Sequence, residues 1–368
     1  MARRVRTLFK QSSFKIERLR KRLLQWYDDN KRDLPWRASR DPYAIWVSEI
    51  MLQQTRVVVV VERYQAFLKR FPSLISLALA NEDEVLALWS GLGYYRRARM
   101  LHKAAQFVAQ NYYGSLPRKA EELRELPGIG EYTAAAIASI AHGEPVAVVD
   151  GNVERVLSRL SGWDESPSLR RKVSELAARM VDPARAGDFN QAVMELGAVV
   201  CLPRSPRCIA CPVAADCNTR GEHKTEKRAP MKSVEVAHAL SVRTSVKKTA
   251  HDRGGREVLL EQRPATVSVM PGMWELPQLN EAEVPPEDLR MTVRHAIMQI
   301  NYYVRIRTVF EDDVARLTAV KGKRRWVPLG EVAEIALTGL ARKVLTRAHL
   351  LQTAPLDIIA PAWDEEIV

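Results

Sequence analysis

Four cysteines, Cys201, Cys208, Cys211 and Cys217, are the only ones in this chain, and six, two and five residues separate them. Loops that short bring four sulfurs toward one small inorganic core, so no distant disulfide partner is needed. Compact cysteine sets in intracellular chains hold metal more often than they cross-link. A four-thiolate zinc site is one reading. Structural zinc, however, takes two tight knuckles joined by a longer insert, and here only Cys208 and Cys211 form a knuckle. Four single thiolates on short loops suit a cubane iron–sulfur cluster better.

A length of 368 residues allows two domains, each with its own core. Lys and Arg number 56 against 44 Asp and Glu, a net charge of +12, which favours a polyanionic partner, most simply nucleic acid. A chain that merely happens to be basic is the bland alternative. No apolar run approaches a membrane span, and no secretory core follows the start, so no membrane partner is expected. The first 22 residues carry nine Lys or Arg and one acid, Glu17. A mitochondrial presequence has that look. A basic arm leading into a DNA-facing helix, in a cytoplasmic protein, accounts for it as well, because Ile16, Leu19, Leu23, Leu24 and Trp26 recur at helical spacing.

From about residue 14 to 220 the pattern is helical, punctuated by Pro, Gly and Asn. The run Val57, Val58, Val59, Val60, Val61 has strong β propensity but sits inside a longer helical pattern and is expected as buried helix. Residues 1–220 are therefore one helical domain and 221–233 a polar linker. In 234–353, segments 234–242, 257–262 and 302–309 read as strands and 339–350 as an apolar-striped helix, an α+β domain. An acidic, apolar tail, 354–368, follows.

Three segments carry chemistry. Residues 123–141 (LRELPGIGEYTAAAIASIA) read as a helix ending at Leu126, a tight turn, and a small-residue helix. Gly128 and Gly130 let a phosphate approach the amides at the new helix N-terminus, a grip on a DNA backbone that reads no bases. Asp150 stands at the start of the stripe Val153, Val156, Leu157, Leu160. An N-cap is the plain reading. The other is a carboxylate stabilising positive charge that develops in a transition state. Glu49 sits among Ile45, Trp46, Ile50 and Met51 on an apolar helix, where a carboxyl resists ionisation and can donate a proton near neutral pH. Two carboxyls in unlike settings are what glycosidic cleavage needs.

Together with these, residues 34–37 (LPWR), 46–55 (WVSEIMLQQT), 91–97 (GLGYYRR), 126–134 (LPGIGEYTA), 149–160 (VDGNVERVLSRL) and the cysteine spacing resemble the MutY family of adenine DNA glycosylases. That family belongs to the endonuclease III-like helix–hairpin–helix superfamily. The resemblance covers about residues 20 to 350. It implies a mainly α helix–hairpin–helix glycosylase fold with an iron–sulfur subdomain holding a [4Fe–4S] cluster at 201–217, and a Nudix-like C-terminal domain. It also implies a monomer acting on double-stranded DNA that carries adenine opposite 8-oxoguanine or guanine, in a bacterial-type cytoplasm near the nucleoid.

Residue by residue, the resemblance implies that Glu49 protonates the extruded adenine at N7 and later activates water. Asp150 would stabilise the oxocarbenium ion or bond to it transiently. Tyr132 and Asn152 would line the site and hold Asp150 and the sugar, and Glu195 would contact adenine. Gln54 and Tyr94 would fill and wedge the base stack, with Trp36, Arg37 and Leu52 packed near the pocket. Where bifunctional members carry a Schiff-base lysine, this chain has Tyr132, and a phenol forms no imine. Arg204 and Arg207 lie between the first two cysteines and are expected to meet phosphates.

In the second domain, 262–264 (QRP) and 270–277 (MPGMWELP) carry the Nudix-like likeness, without the Glu-rich box (REXXEE) that holds Mg²⁺ for hydrolysis. The family reads 8-oxoguanine there through a short Phe-Ser-His loop; the matching stretch here is Val293, Arg294 and His295, of which only the histidine agrees, and a solvated Arg294 and an ordinary strand histidine stand as the plain readings. Two alternatives stand beside this reading: a bifunctional glycosylase/lyase for oxidised pyrimidines, and a non-catalytic DNA-binding protein whose cluster senses redox state.

Overall fold

The computed structural model describes residues 2–222, 230–244, 255–297, 299–319 and 321–351, with side chains from residue 15 onward. The tail 354–368 and most of the 221–233 linker lie outside the described residues. By packing, the chain divides into two units. The first comprises Met1–Leu79 and Met100–Lys227, the second Ala80–Arg99 and Arg228–Val368.

Helices run in the order α1 (Ala2–Asn30), α2 (Pro42–Leu52), α3 (Val57–Arg70), α4 (Leu74–Ala78), α5 (Glu82–Leu88), α6 (Arg96–Asn111), α7 (Ala120–Leu123), α8 (Glu131–His142), α9 (Gly151–Ser161), α10 (Leu169–Met180) and α11 (Ala186–Val199). In the first unit, the predicted stripe Val153, Val156, Leu157, Leu160 of α9 is buried against Leu19 and Leu23 of α1, Val173 and Ala177 of α10, and Phe189, Val193 and Leu196 of α11. Burying each such side chain contributes about 1.5–3 kcal/mol. α2 is buried along its whole length from Tyr43 to Met51 and packs on α8. Asp41 accepts the Tyr43 amide and Pro42 occupies the first turn, so the start of α2 is fixed by chemistry as well as by packing.

Two glycines set how closely α11 approaches its neighbours. A Cβ on Gly187 would fall 2.7 Å from the Ser139 carbonyl oxygen of α8, and one on Gly197 would fall 2.6 Å from Asn152 Cβ at the start of α9. Alanine at 197 gains about 1 kcal/mol of helix propensity. Overpacking against fixed backbone costs about 1–3 kcal/mol, so the clash wins. Gly197→Ala is expected to lower stability in urea unfolding and to slow any chemistry that depends on Asp150 and Asn152.

Several expectations are corrected here. Residues 57–61 are helical, but only Val60 is buried and Val58 is 64% exposed, because α3 turns one face to solvent. The helix before the hairpin ends at Leu123, not Leu126, with turn residues between. The basic residues at the end of the N-terminal run serve the protein itself. Arg18 and Arg22 pair with the buried Asp216, and Arg20 donates to the carbonyls of Arg179, Met180 and Val181, capping α10.

Among the described residues, the second unit holds α5 and seven strands: β1 (Lys232–Leu240), β2 (Val242–Thr244), β3 (Arg256–Gln262), β4 (Trp274–Glu275), β5 (Leu289–Ile297), β6 (Ile300–Thr308) and β7 (Arg324–Pro328), with α12 (Glu311–Leu317) and α13 (Gly339–Arg347). One sheet has the order β1-β6-β5, with β1 parallel to β6; in the other, β3 pairs with β2, β4 and β7. α13 buries Leu340, Ala341, Val344 and Leu345 among Val258, Leu260, Val293, Val304 and Val327. Ala80–Arg99 is fastened to this unit by Tyr95 Oη, which donates to the Leu337 carbonyl (3.0 Å), and by Arg342 Nε, which donates to Ser90 Oγ (2.6 Å). Val293, Arg294 and His295, expected in a loop, lie inside β5. The cross-strand register pairs Ile297 with Ile300, which places the reversal after them.

Candidate active site

Glu49 is 5% exposed on α2, and Tyr132 Oη of α8 donates to its Oε2 at 2.6 Å. Burial pushes the Glu49 carboxyl up to about 7. The Tyr132 hydrogen bond and the Arg37 guanidinium pull it back, while the Asp150 carboxylate raises it further. The Tyr132 phenol is itself pushed well up, chiefly by burial and then by Glu49, so it stays a neutral donor. Glu49, Tyr132, Asp150 and Arg37 thus share one electrostatic neighbourhood.

Asp150 does what an N-cap does and something besides. Its Oδ1 accepts the Val153 amide at 2.7 Å, and its Oδ2 accepts Asn152 Nδ2 at 2.9 Å. Asn152 is oriented in turn by Arg155, whose Nη2 donates to Asn152 Oδ1 (2.8 Å) and to the Gly197 carbonyl (2.8 Å), while its Nε donates to the Cys201 carbonyl (2.8 Å). A continuous chain of hydrogen bonds therefore runs from the Asp150 carboxylate to the first cysteine. Arg155 escaped the sequence reading. Its spacing of four from Arg159, on the helix that Asp150 caps, was the available signal.

Glu195, expected to contact the base, is 1% exposed and has both oxygens occupied. Arg32 donates from Nε and Nη2 at 2.8 Å each, and Arg37 from Nη2 at 2.7 Å. Burial alone would raise its pKa, but these charged donors win and hold it at about 2. Its place is to anchor Arg37 beside Glu49. Trp36 is buried edge-on against Tyr64, with ring centroids 5.6 Å apart, and Leu52 is half-buried at the end of α2.

Gln54 is exposed, with φ +56°, at the end of the segment after α2. Tyr94, in the second unit, is 50% exposed with φ +46°. Left-handed backbone is costly for residues with side chains, and each is an exposed residue held in a strained turn. At the hairpin, Gly128 takes φ +77°, while Gly130 is the N-cap of α8 without any side-chain cap, so the first amides of α8 have no side chain folded over them.

All four cysteine side chains line one cavity of about 30 Å³ together with Arg159, Val200, Pro206 and Arg220. They are not drawn into a closed coordination set: among the described residues no three Cys, His, Asp or Glu side chains form one. The donor chemistry still fits a thiolate-ligated group, because the buried Arg159 guanidinium donates to Cys201 Sγ (3.5 Å) and to the carbonyls of Leu202 (2.6 Å) and Pro203 (2.9 Å). A fixed cation offsets clustered sulfur charge. Arg204 and Arg207 are exposed on the loop between Cys201 and Cys208. Arg294, on β5, is exposed and donates to Asn301 Oδ1 at 3.3 Å, whereas His295 is half-buried.

Residues 47–183 match the family described as HhH-GPD superfamily base excision DNA repair protein. The chain is 49% identical over 217 residues to the adenine DNA glycosylase of Homo sapiens, covering 56% of this chain and 40% of that protein. It is 37% identical over 385 residues to the adenine DNA glycosylase of Arabidopsis thaliana, covering 93% of this chain and 58% of that protein. The chain thus spans about half the length of these curated relatives. A solved thermostable thymine-DNA glycosylase is 30% identical, with a TM-score of 0.53, and 57% of this chain covers 98% of it. A trapped endonuclease III–DNA covalent intermediate, 23% identical with a TM-score of 0.50 over 56% of this chain and 96% of that one, shares the fold of the helical unit.

Proposed function

The chain belongs to the HhH-GPD superfamily of base excision DNA repair proteins, and on that premise we propose that it hydrolyses the N-glycosidic bond of adenine mispaired with 8-oxoguanine or guanine. One observation carries this reading: a buried carboxyl, Glu49, held near pH 7 beside a second carboxylate, Asp150, that is wired into hydrogen bonds of its own.

The chemistry follows from the two environments. Protonated Glu49 gives its proton to the purine ring, so adenine leaves neutral and the bonding electrons depart with it. Positive charge is left on the deoxyribose, and Asp150, with Oδ1 and Oδ2 oriented by Val153 and Asn152, stabilises it. Glu49, now a carboxylate steadied by Tyr132, takes a proton from the water that attacks the sugar carbon. No imine forms at position 132. Extrusion of the nucleotide costs a few kcal/mol, which phosphate held at the α8 N-terminus and the exposed Gln54 filling the stack would offset.

Cys201, Cys208, Cys211 and Cys217 would hold a [4Fe–4S] cluster. A bound cluster would fix the loop between them, a structural service that needs no electron transfer. Arg204 and Arg207 on that loop would then meet phosphates. Replacing both by alanine is expected to weaken binding to duplex DNA and to flatten log K against log [salt] by about one to two units, measured by fluorescence anisotropy; an unchanged slope removes them from the interface.

The second unit we read as a Nudix-like recognition domain without hydrolase activity, with Arg294 facing solvent as its candidate contact to the opposite strand. The protein would act as a cytoplasmic monomer near the nucleoid. Defined duplexes carrying adenine opposite 8-oxoguanine, guanine, cytosine or thymine test the whole reading. The expected result is strand scission only after alkali, with the first two pairs preferred and no adduct trapped by borohydride. A trapped adduct would favour a bifunctional lyase, and no base release at all a DNA-binding protein.

A further inference from the structure

The two ends of the cysteine loop are held by different means. At the front, the Cys201 amide donates to the Leu196 carbonyl of α11 (2.7 Å), and the Arg155 and Arg159 side chains of α9 close on the carbonyls of Cys201, Leu202 and Pro203. At the far end, Cys217 follows the 3-10 turn Ala214–Asp216, and the amides of Asn218 and Thr219 donate to the Leu160 and Arg159 carbonyls of α9 at 3.2 Å each. Asp216 is the only carboxylate in residues 201–217. It is 9% exposed, and a carboxylate so buried needs charged partners. Both come from α1, 198 and 194 positions away: Arg18 Nη2 donates to Oδ1, and Arg22 Nη1 donates to Oδ2 at 3.1 Å.

The period of α1 explains the convergence. Residues 18 and 22 stand one turn apart and share a face of the helix. Leu19 and Leu23, one position on from each, are buried in the same core as Val213 of the loop. The helix therefore grips the segment before Cys217 twice, through Val213 by apolar packing and through Asp216 by charge. The two arginine side chains remain 44% and 43% exposed, so these pairs lie within reach of dissolved salt. Without them Asp216 is a buried anion lacking its countercharges. Its relief is to turn toward water, and the next residue in the chain is Cys217. A group held by four thiolates escapes once one of them lets go, so the most easily freed cysteine sets the rate of loss.

We propose that α1 is a clasp on the cysteine loop: by holding Asp216, Arg18 and Arg22 keep Cys217 in place and set how long the chain retains its [4Fe–4S] cluster. The clasp rests on the cluster reading above, and the two fail differently. The full chain is assayed first for iron and acid-labile sulfide, then for decay of the cluster's visible absorbance under excess iron chelator. Arg18→Ala/Arg22→Ala is expected to lose the cluster about tenfold faster than native, and Asp216→Ala to lose it faster than native as well. Arg18→Lys/Arg22→Lys, which keeps both charges, should bring the rate back to within about threefold of native. Arg20 sits on the same helix but caps α10 instead. Arg20→Ala should lower the urea midpoint and leave the decay rate within about twofold of native. Raising salt from about 0.1 to 1 M should hasten decay in the native protein and have little effect in Asp216→Ala. Native-like decay in the double alanine variant, equal acceleration by Arg20→Ala, or a native rate indifferent to salt would each overturn the clasp and leave the cluster standing. A native chain that holds no iron and sulfide would overturn both.

Discussion

Glu49→Gln is expected to lower single-turnover adenine release by two to four orders of magnitude, the range over which a positioned general acid contributes. Glutamine keeps the shape and can still accept the Tyr132 hydroxyl, so the loss isolates the proton. The pH profile gives the second signature. Reaction needs Glu49 protonated, and its carboxyl is held at about 7, so the native rate should fall about tenfold per pH unit above that value. In the variant, that limb should vanish. A variant within tenfold of the native rate, or a native profile flat from pH 6 to 9, would dismiss Glu49 as the acid.

The same shift has a cost in stability. The folded value of Glu49, about 7, lies above its ordinary 4.5, so its favourable contribution is complete below about pH 4.5 and is lost as pH rises through 7. A shift of that size is worth about 3 kcal/mol at pH 8. The Tyr132 hydrogen bond is already counted in that value, and a glutamine would keep only a weaker, uncharged form of it. Glu49→Gln should therefore be more stable than the native protein at pH 8, by about 2 kcal/mol in urea titrations, and equal to it near pH 4.5. The group proposed as the acid is the one that the fold would be better without.

Much of this site was legible in sequence because its parts are local. The apolar run around Glu49, the Gly128 and Gly130 turn, and Asp150 ahead of its stripe each announce a helix and its start within a dozen residues. Strands β1, β3 and β6 and helix α13 fell where alternation and striping placed them, to within a few residues. What escaped was long-range. Arg32 and Arg37 meet Glu195 across some 160 positions, and Arg18 meets Asp216 across 198, so no window along the chain pairs them. The residues 80–99 look like more of the same helical pattern, yet Tyr95 and Ser90 bond to the C-terminal half, which only a folded chain can show. The misplaced recognition loop has a simpler cause. A three-residue match carries no register, whereas the β5–β6 ladder fixes where the chain reverses.

Asp150→Asn separates the two duties of that residue. Asparagine caps helices about as well as aspartate, and its carbonyl oxygen can still accept the Val153 amide, but its amide nitrogen meets Asn152 Nδ2 donor to donor, so unfolding free energy should fall by about 1 kcal/mol. The charge, however, is gone, and with it the partner of the cationic sugar. Removing one such electrostatic stabiliser typically costs about 10² to 10³ in rate. Without the neighbouring anion the Glu49 carboxyl should ionise more easily, so the variant's remaining activity should fall off at a lower pH than native. Asp150→Ala should lose both rate and about 2 kcal/mol of stability, because the α9 amide goes uncapped as well. If the asparagine variant kept native turnover, Asp150 would be a helix cap and nothing more. The hydrogen-bond chain through Asn152 and Arg155 to Cys201 would then serve packing alone.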